Sequence, residues 1–134
     1  MTGAMRARVT AIAALALVLC GCGTASSEHD AKGSVQRFFE ALSRHDGEAA
    51  CHELSADAAA AVEGSEKKPC DEAVLSLGLA AAPVTKVQVF VDSAQARLRG
   101  GGAVFLDETP KGWKISAAGC KPQSGKPYDC ELEA

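Results

Sequence analysis

The chain has no excess of basic residues, and this absence limits what it can bind. Its 134 residues carry 14 lysines and arginines against 17 aspartates and glutamates, a formal net charge of −3. An acidic chain lacks the clustered positive charge with which proteins contact phosphate backbones. We therefore expect no nucleic-acid partner, and there is no polybasic patch for anionic lipid.

Long apolar runs and the common catalytic motifs are also missing. The uncharged run from Val9 to Leu19 is well short of the ~20 residues that a transmembrane helix needs. Cysteine and histidine never occur at a CxxC or HxxxH spacing, so the sequence predicts no metal site. Gly100–Gly102 joins two predicted strands rather than the strand and helix of a phosphate-binding loop. No nucleophile elbow is present, and we predict no cofactor.

The start of the chain has the pattern of a secretory signal. Arg6 and Arg8 precede the apolar run, which ends in Leu19-Cys20-Gly21-Cys22. This ending resembles the lipobox of bacterial lipoproteins, in which a diacylglycerol is attached to the cysteine that becomes the mature N-terminus. The resemblance implies a signal peptide over residues 1–21 and a domain anchored on the extracytoplasmic face of the plasma membrane.

Two cysteines compete to be the lipid acceptor. Signal peptidases favour a small residue before the cut, which Cys22 has in Gly21, whereas Cys20 follows the bulky Leu19. The sequence therefore predicts lipid on Cys22. The alternative is cleavage after Ala25, which would release a soluble secreted protein.

The predicted mature protein is one small acidic domain. Removing residues 1–21 from the 134 leaves 113, with 12 basic against 17 acidic residues and a net charge of −5, the size of a single domain. Residues 22–30, rich in serine, glycine and charge, are predicted to form a flexible tether. Residues 31–134 are predicted to form the folded domain.

Four cysteines remain once Cys20 is removed and Cys22 is lipidated, and an even number in an exported domain indicates two disulfides. Four cysteines allow three connectivities, and the sequence does not choose among them. We favour Cys51–Cys70 and Cys120–Cys130, because each pair brackets a turn-rich segment.

The first half of the domain has helical periodicity. Val35, Phe38, Phe39 and Leu42 form an apolar stripe within a helix predicted over Ala31–Arg44. A second helix is predicted over Gly47–Leu54 with Asp46 as its N-cap, and Ser55 can cap a further turn that ends at Gly64. A third is predicted over Cys70–Leu79.

From Val84 the apolar period changes to two. Val87, Val89 and Val91 alternate with polar residues, and a turn is predicted at Asp92-Ser93. Trp113, Ile115 and Ala117 are predicted to share a face of a later strand, and residues 128–133 can add an edge strand. The expected fold is α+β, with three N-terminal helices on one face of a curved antiparallel sheet of four to five strands.

Three segments of this layout resemble the nuclear transport factor 2-like (cystatin-like cone) superfamily. They are Val35–Leu42, with its aromatic pair, the helix break and restart at Asp46–Cys51, and Gly112–Ile115. The likeness covers about residues 31–120 and is strongest to small actinobacterial lipoproteins. It implies a cone that encloses a pocket, whose candidate lining residues are Phe38, Phe39, Val89, Phe105 and Trp113. Each of these is also explained as a core residue.

Enzymes of the superfamily use an aspartate or histidine that faces the cone, and such a group needs burial to shift its pKa. Asp107 shares the strand parity of Ala103 and Phe105, and His52 lies between Cys51 and Leu54. These two are the weak catalytic candidates, and the simpler interpretation of both is a solvated surface residue.

Three functions are therefore compared. The leading hypothesis is a non-enzymatic, membrane-held domain that binds a small apolar ligand or a protein partner. The alternative is an isomerase- or dehydratase-like enzyme that uses the cone. The third is an assembly module whose contacts lie on the outer sheet face, at Gln88, Phe90, Gln95 and Arg97.

Overall fold

The computed structural model describes residues 22–134, which form helices followed by an antiparallel sheet of six strands. The α+β class is as expected. The helices are α1 (Cys22–Ser43), α2 (Gly47–His52), α3 (Ala56–Glu66) and α4 (Cys70–Ser76). The strands are β1 (Val84–Phe90), β2 (Ser93–Leu98), β3 (Ala103–Thr109), β4 (Gly112–Gln123), β5 (Lys126–Asp129) and β6 (Leu132–Glu133).

Helix α1 is longer than the helix predicted over Ala31–Arg44, because it begins at Cys22. Its predicted stripe packs inward, with Val35 and Phe38 fully buried. Residues 22–30 are helical, and residues 23–30 are mostly exposed; the role of residues 22–30 as a tether stays a prediction. The predicted signal peptide, including Cys20, lies outside the described residues.

The prediction of three helices was one too few. Asp46 and Ser55 cap helices as expected, each accepting a backbone N–H bond, from Ala49 and Ala58 respectively. The turn that begins at Ser55, however, continues through Gly64 as helix α3, since the alanines around it favour helix. Helix α4 ends at Ser76, before the predicted Leu79.

The sheet has the order β1-β2-β3-β4-β5, and β6 also pairs with β4. Strand β4 is covered on its far side by β5, by β6 and by a parallel bridge from Leu54 to Ile115. All the helices contribute side chains to one core on the inner face of the sheet. Among the described residues, no helix has the length and apolarity needed to cross a bilayer.

The β1–β2 turn lies one residue earlier than predicted. Phe90 pairs with Ser93, so the loop is Val91-Asp92. Val91 is therefore not an inward strand residue; it is 94% exposed, with a φ of +58°. A β-branched side chain is rarely found in this left-handed region, which is why the local pattern misplaces the turn.

The predicted parity of β3 was wrong. Val104 and Leu106 are fully buried against the helices, whereas Ala103, Phe105 and Asp107 lie on the outer face. Both sets begin with apolar residues, so alternation alone could not choose between them. The choice follows from the pairing with β2, whose buried Ala94 and Ala96 lie opposite Leu106 and Val104.

A bulge in β4 corrects a second expectation. Leu106 lies opposite Ile115 while the neighbouring Phe105 lies opposite Ala117, so β4 holds one extra residue. Trp113 and Ile115 face the core as predicted, but Ala117 packs on the outer face. A bulge reverses which face the following residues occupy.

Two disulfides tie the fold together, Cys51–Cys70 between α2 and α4 and Cys120–Cys130 between β4 and the end of β5. This is the connectivity that the sequence analysis favours. The Cα atoms of Cys51 and Cys70 are 6.1 Å apart, within the usual range for a disulfide.

Candidate functional site

A buried carboxylate, Glu53, is the centre of the polar side of the domain. It is 6% exposed and accepts a 2.8 Å hydrogen bond from the hydroxyl of Ser34, which is fully buried. Arg37 donates to it twice, from Nε to Oε1 at 2.8 Å and from Nη2 to Oε2 at 3.2 Å. The guanidinium side chain is 60% exposed. We call these three residues the Glu53 cluster.

The backbone holds Glu53 in place from two directions. Ser34 and Arg37 are one turn apart on α1 and therefore share a face. On the other side, the carbonyl of Glu53 accepts a bond from the N–H of Ile115, and Lys114 Nζ donates to the carbonyl of His52. The cluster thus connects α1 to α2 and β4.

The charge of Glu53 is set by opposing effects. Burial has the largest single effect, and it raises the pKa of the carboxyl. The hydrogen bonds from Arg37 and Ser34 and the charges of Arg37 and Lys114 lower it, and the net result is a pKa below the ordinary value for glutamate. The hydrogen bond to Glu53 raises the pKa of Arg37 in turn. Glu53 is therefore an ionised acceptor, unlike a general acid or base, whose pKa lies near the working pH.

Glu53 is not among the site residues predicted from the sequence. A search for acids on the apolar faces of strands cannot find a residue that follows a short helix. Its partners are 16 and 19 positions earlier in the chain. The available signal was the pair Ser34 and Arg37, two polar residues that flank the apolar stripe of α1.

A polar groove of about 480 Å³ opens beside the cluster. Its lining includes Trp113 and the charged or polar residues Asp30, His52, Glu108, Lys111 and Lys114. The charges are mixed in sign. Within residues 22–134, no group of three acidic, cysteine or histidine side chains is placed to hold a metal ion.

The two catalytic candidates, His52 and Asp107, lie on different surfaces of the domain. Both His52 and Asp107 are exposed. His52 lines the polar groove, whereas Asp107 lies on the outer sheet face. Neither has the burial that the enzymatic hypothesis requires, so that hypothesis has no acid–base group in these two residues.

The predicted pocket residues do not surround a common cavity. Phe38, Phe39 and Trp113 are buried in the core, and Val89 packs partly buried against it. Phe105 is on the opposite face of the sheet, so its assignment to the same pocket was wrong. Aromatic side chains fill the space between helices and sheet rather than line it.

The outer sheet face carries a second apolar cluster. The rings of Phe105 and Tyr128 meet edge to face, with centroids 5.2 Å apart, and Gln95 Nε2 donates to the Tyr128 hydroxyl at 3.1 Å. Phe90 is 54% exposed, and shallow depressions of about 360 and 410 Å³ lie on either side of Phe105. We call Phe90, Gln95, Phe105 and Tyr128 the outer-face patch.

An apolar groove of about 530 Å³ lies at the end of the sheet where β2 meets β3. The segment after α4 supplies Leu79 and Ala82, and the core contributes Phe39 and Leu98. Arg99 and Lys121 also line this groove. Most of its lining is apolar.

No protein-family model, curated protein or solved structure matches this chain.

Proposed function

We propose that this protein is a lipid-anchored, extracytoplasmic domain of the nuclear transport factor 2-like class that binds a protein partner and is not an enzyme. The observation that carries the binding role is the outer-face patch. The core between helices and sheet is filled by Phe38, Phe39 and Trp113. On the opposite face of the sheet, Phe90 is exposed beside Phe105, whose ring contacts that of Tyr128.

The anchor is supported by Leu19-Cys20-Gly21-Cys22 and by the two disulfides, which are typical of oxidising compartments. Residue 22 is part of α1, so a lipid on Cys22 would be joined directly to the first helix of the domain. An acidic domain has little attraction for anionic lipid, and attachment would depend on the acyl chains.

Intact-mass analysis of the membrane-extracted protein tests the anchor. We expect a chain that starts at Cys22 and carries a diacylglycerol, and that gains two hydrogens per disulfide on reduction. The Cys22→Ser variant should lose the lipid, while the matched Cys20→Ser variant should keep it. A chain that begins after Ala25, or an unprocessed chain without lipid, would refute the anchor.

Site-specific photo-crosslinking in intact cells tests the binding role. A benzoylphenylalanine in place of Phe90 should form a discrete crosslinked product. The same group at Asp57, an exposed position on α3, should not. Equal products at both positions, or none at Phe90, would contradict a partner on the outer-face patch.

A small apolar ligand is the second candidate, and the apolar groove favours it. Its volume of about 530 Å³ lies within the range of small-molecule sites. Native mass spectrometry of the detergent-extracted protein should then show a non-covalent adduct. The Leu79→Glu variant should lose that adduct. The Leu75→Glu variant, which changes a partly buried leucine outside the groove, should keep it.

A further inference from the structure

Strand β1 is the one long open edge of the described sheet. At the other side, β5, β6 and the Leu54 bridge cover β4. Strand β1 pairs only with β2, so one side of its backbone has no partner strand. An edge of this kind presents unpaired N–H and C=O groups that another extended chain can bond.

The register identifies which groups are open. Phe90 and Ser93 close a two-residue hairpin loop and form its first hydrogen-bonded pair. Gln88 and Gln95 form the next hydrogen-bonded pair. In an antiparallel ladder, hydrogen-bonded and non-hydrogen-bonded pairs alternate, so Val87 and Val89 belong to the pairs that do not bond across to β2. Their N–H and C=O groups therefore lie in the plane of the sheet and point away from β2, outward from the open edge.

Helix α1 forms the second wall of a groove along this edge. Its first turns supply Glu28, His29 and Lys32, which lie beside residues 84–87 of β1 around a space of about 270 Å³. A helix beside an open edge strand is an arrangement that binds extended peptides: main-chain bonds supply affinity and flanking side chains supply selectivity.

The charges of the groove indicate the kind of peptide. Lys32 and Lys86 line the groove together with one acidic residue, Glu28. Over residues 22–134, neither lysine has an acidic partner within 4 Å. An acidic side chain on the incoming strand would supply that partner. A second copy of this strand is a poorer occupant, because Lys86 is the only charged residue of β1 and a second β1 edge would bring no acidic side chain to the groove.

We propose that the edge of β1 binds an extended, acidic peptide of a partner protein, which pairs with Val87 and Val89 as a seventh strand beside α1. The proposal rests on the proposed function only in requiring a protein partner. It uses a different surface from the outer-face patch, so either can fail alone.

Proline at position 87 gives a sharp test. It removes an N–H that makes no bond to β2, and proline is tolerated on edge strands in this position. The Val87→Thr variant keeps both the N–H and the β-branched shape, so it is the matched control. The Gln88→Pro variant should instead destabilise the fold, because that N–H is in the ladder.

The probe is a phage-displayed library of random peptides of about ten residues, long enough to pair with a strand of this length. We expect the wild type to enrich acidic peptides with alternating apolar residues. Their affinity should fall about tenfold in Val87→Pro, the effect of a lost backbone hydrogen bond, and stay unchanged in Val87→Thr. The Lys32→Glu variant should also weaken them.

Amide hydrogen exchange keeps the test valid if the proline variant fails to fold. In the wild type, a bound peptide should slow exchange at Val87 and Val89 and leave Gln88, already in the ladder, unchanged. The proposal is overturned by any of three results. These are no enrichment, equal binding to Val87→Pro, and a wild-type dimer that Val87→Pro abolishes, which would assign the edge to a second copy.

Discussion

The Glu53 cluster makes a quantitative prediction about stability. The Glu53→Gln variant keeps the shape of the side chain and its bond from Ser34, but it loses the negative charge that Arg37 contacts twice. Hydrogen bonds to a charged group contribute about 1.5–3 kcal/mol each when buried. Arg37 is 60% exposed, so water replaces part of that interaction.

We therefore expect Glu53→Gln to lower the free energy of unfolding by about 1–2 kcal/mol. In a domain of this size, that is roughly 4–8 °C in Tm. Glu53→Ala should cost about 2–4 kcal/mol, because it also leaves the buried Ser34 hydroxyl without an acceptor. Urea denaturation with both disulfides intact measures the difference.

The dependence on pH separates charge from packing. The pKa of Glu53 is lower in the folded state than in the unfolded chain, where it is about 4.3. As the pH falls from the unfolded-state pKa toward the lower folded-state pKa, the unfolded chain binds more protons than the folded protein. The stability contributed by the carboxylate is therefore lost over this range. The gap between wild type and Glu53→Gln should be full above about pH 5 and shrink below about pH 4.

An exposed ion pair on the same helix is the control. Glu40 and Arg44 are 64% and 56% exposed, so Glu40→Gln should change stability by less than about 0.5 kcal/mol. If Glu53→Gln behaves like Glu40→Gln, or if its effect is the same at pH 7 and at pH 3, Glu53 does not act as an ionised tie between α1 and α2.

Three further predictions concern the backbone and the disulfides. Val91→Gly should raise the free energy of unfolding by about 1 kcal/mol, and with it the urea midpoint, because glycine adopts the φ of +58° without strain. An unchanged or lower midpoint would show that Val91 is not strained. Gly47→Ala should prevent stable folding by circular dichroism, since its Cβ would overlap the backbone carbonyl of Asp71. Gly64→Ala, which meets open space within α3, should stabilise by about 0.5–1 kcal/mol, and equal effects at the two glycines would contradict this packing. Replacing both cysteines of the Cys51–Cys70 disulfide, 19 positions apart, by serine should cost about 3 kcal/mol by denaturant titration, and a cost near zero would mean the pair does not form.

Local chemistry was sufficient to predict the caps and the apolar stripe of the helical half. The caps at Asp46 and Ser55 and the stripe through Val35 and Phe38 depend on neighbours within one turn, and the structure has all of them. The residues at which α1 and α3 begin and end were harder to predict from the sequence. Serine and glycine each lower helix stability by about 1 kcal/mol or less, which other contacts can offset, so a short-range pattern cannot decide whether they end a helix.

The strands show where short-range patterns are insufficient. In β3, Val104 and Leu106 alternate with Ala103 and Phe105, and both sets are apolar enough to be the core set. A strand that shifts by one residue presents its other face. The bulge near Ala117 adds a second reversal. Only the pairing partners, Ala94 and Ala96 on β2, settle which face packs against the helices.

Composition and residue order determined the acidic character, the four cysteines that follow Cys22, the α+β class and the change of period at Val84. Each of these follows from residue type or from contacts within a few positions. Tertiary structure decided the Glu53 cluster, the outer-face patch and the open edge of β1. Glu53 meets Ser34 and Arg37 across 19 and 16 positions. The open edge exists because β1 pairs with β2 on one side only, whereas β5, β6 and Leu54 cover β4. Such features depend on which elements become neighbours in space, and no local pattern in the chain encodes that.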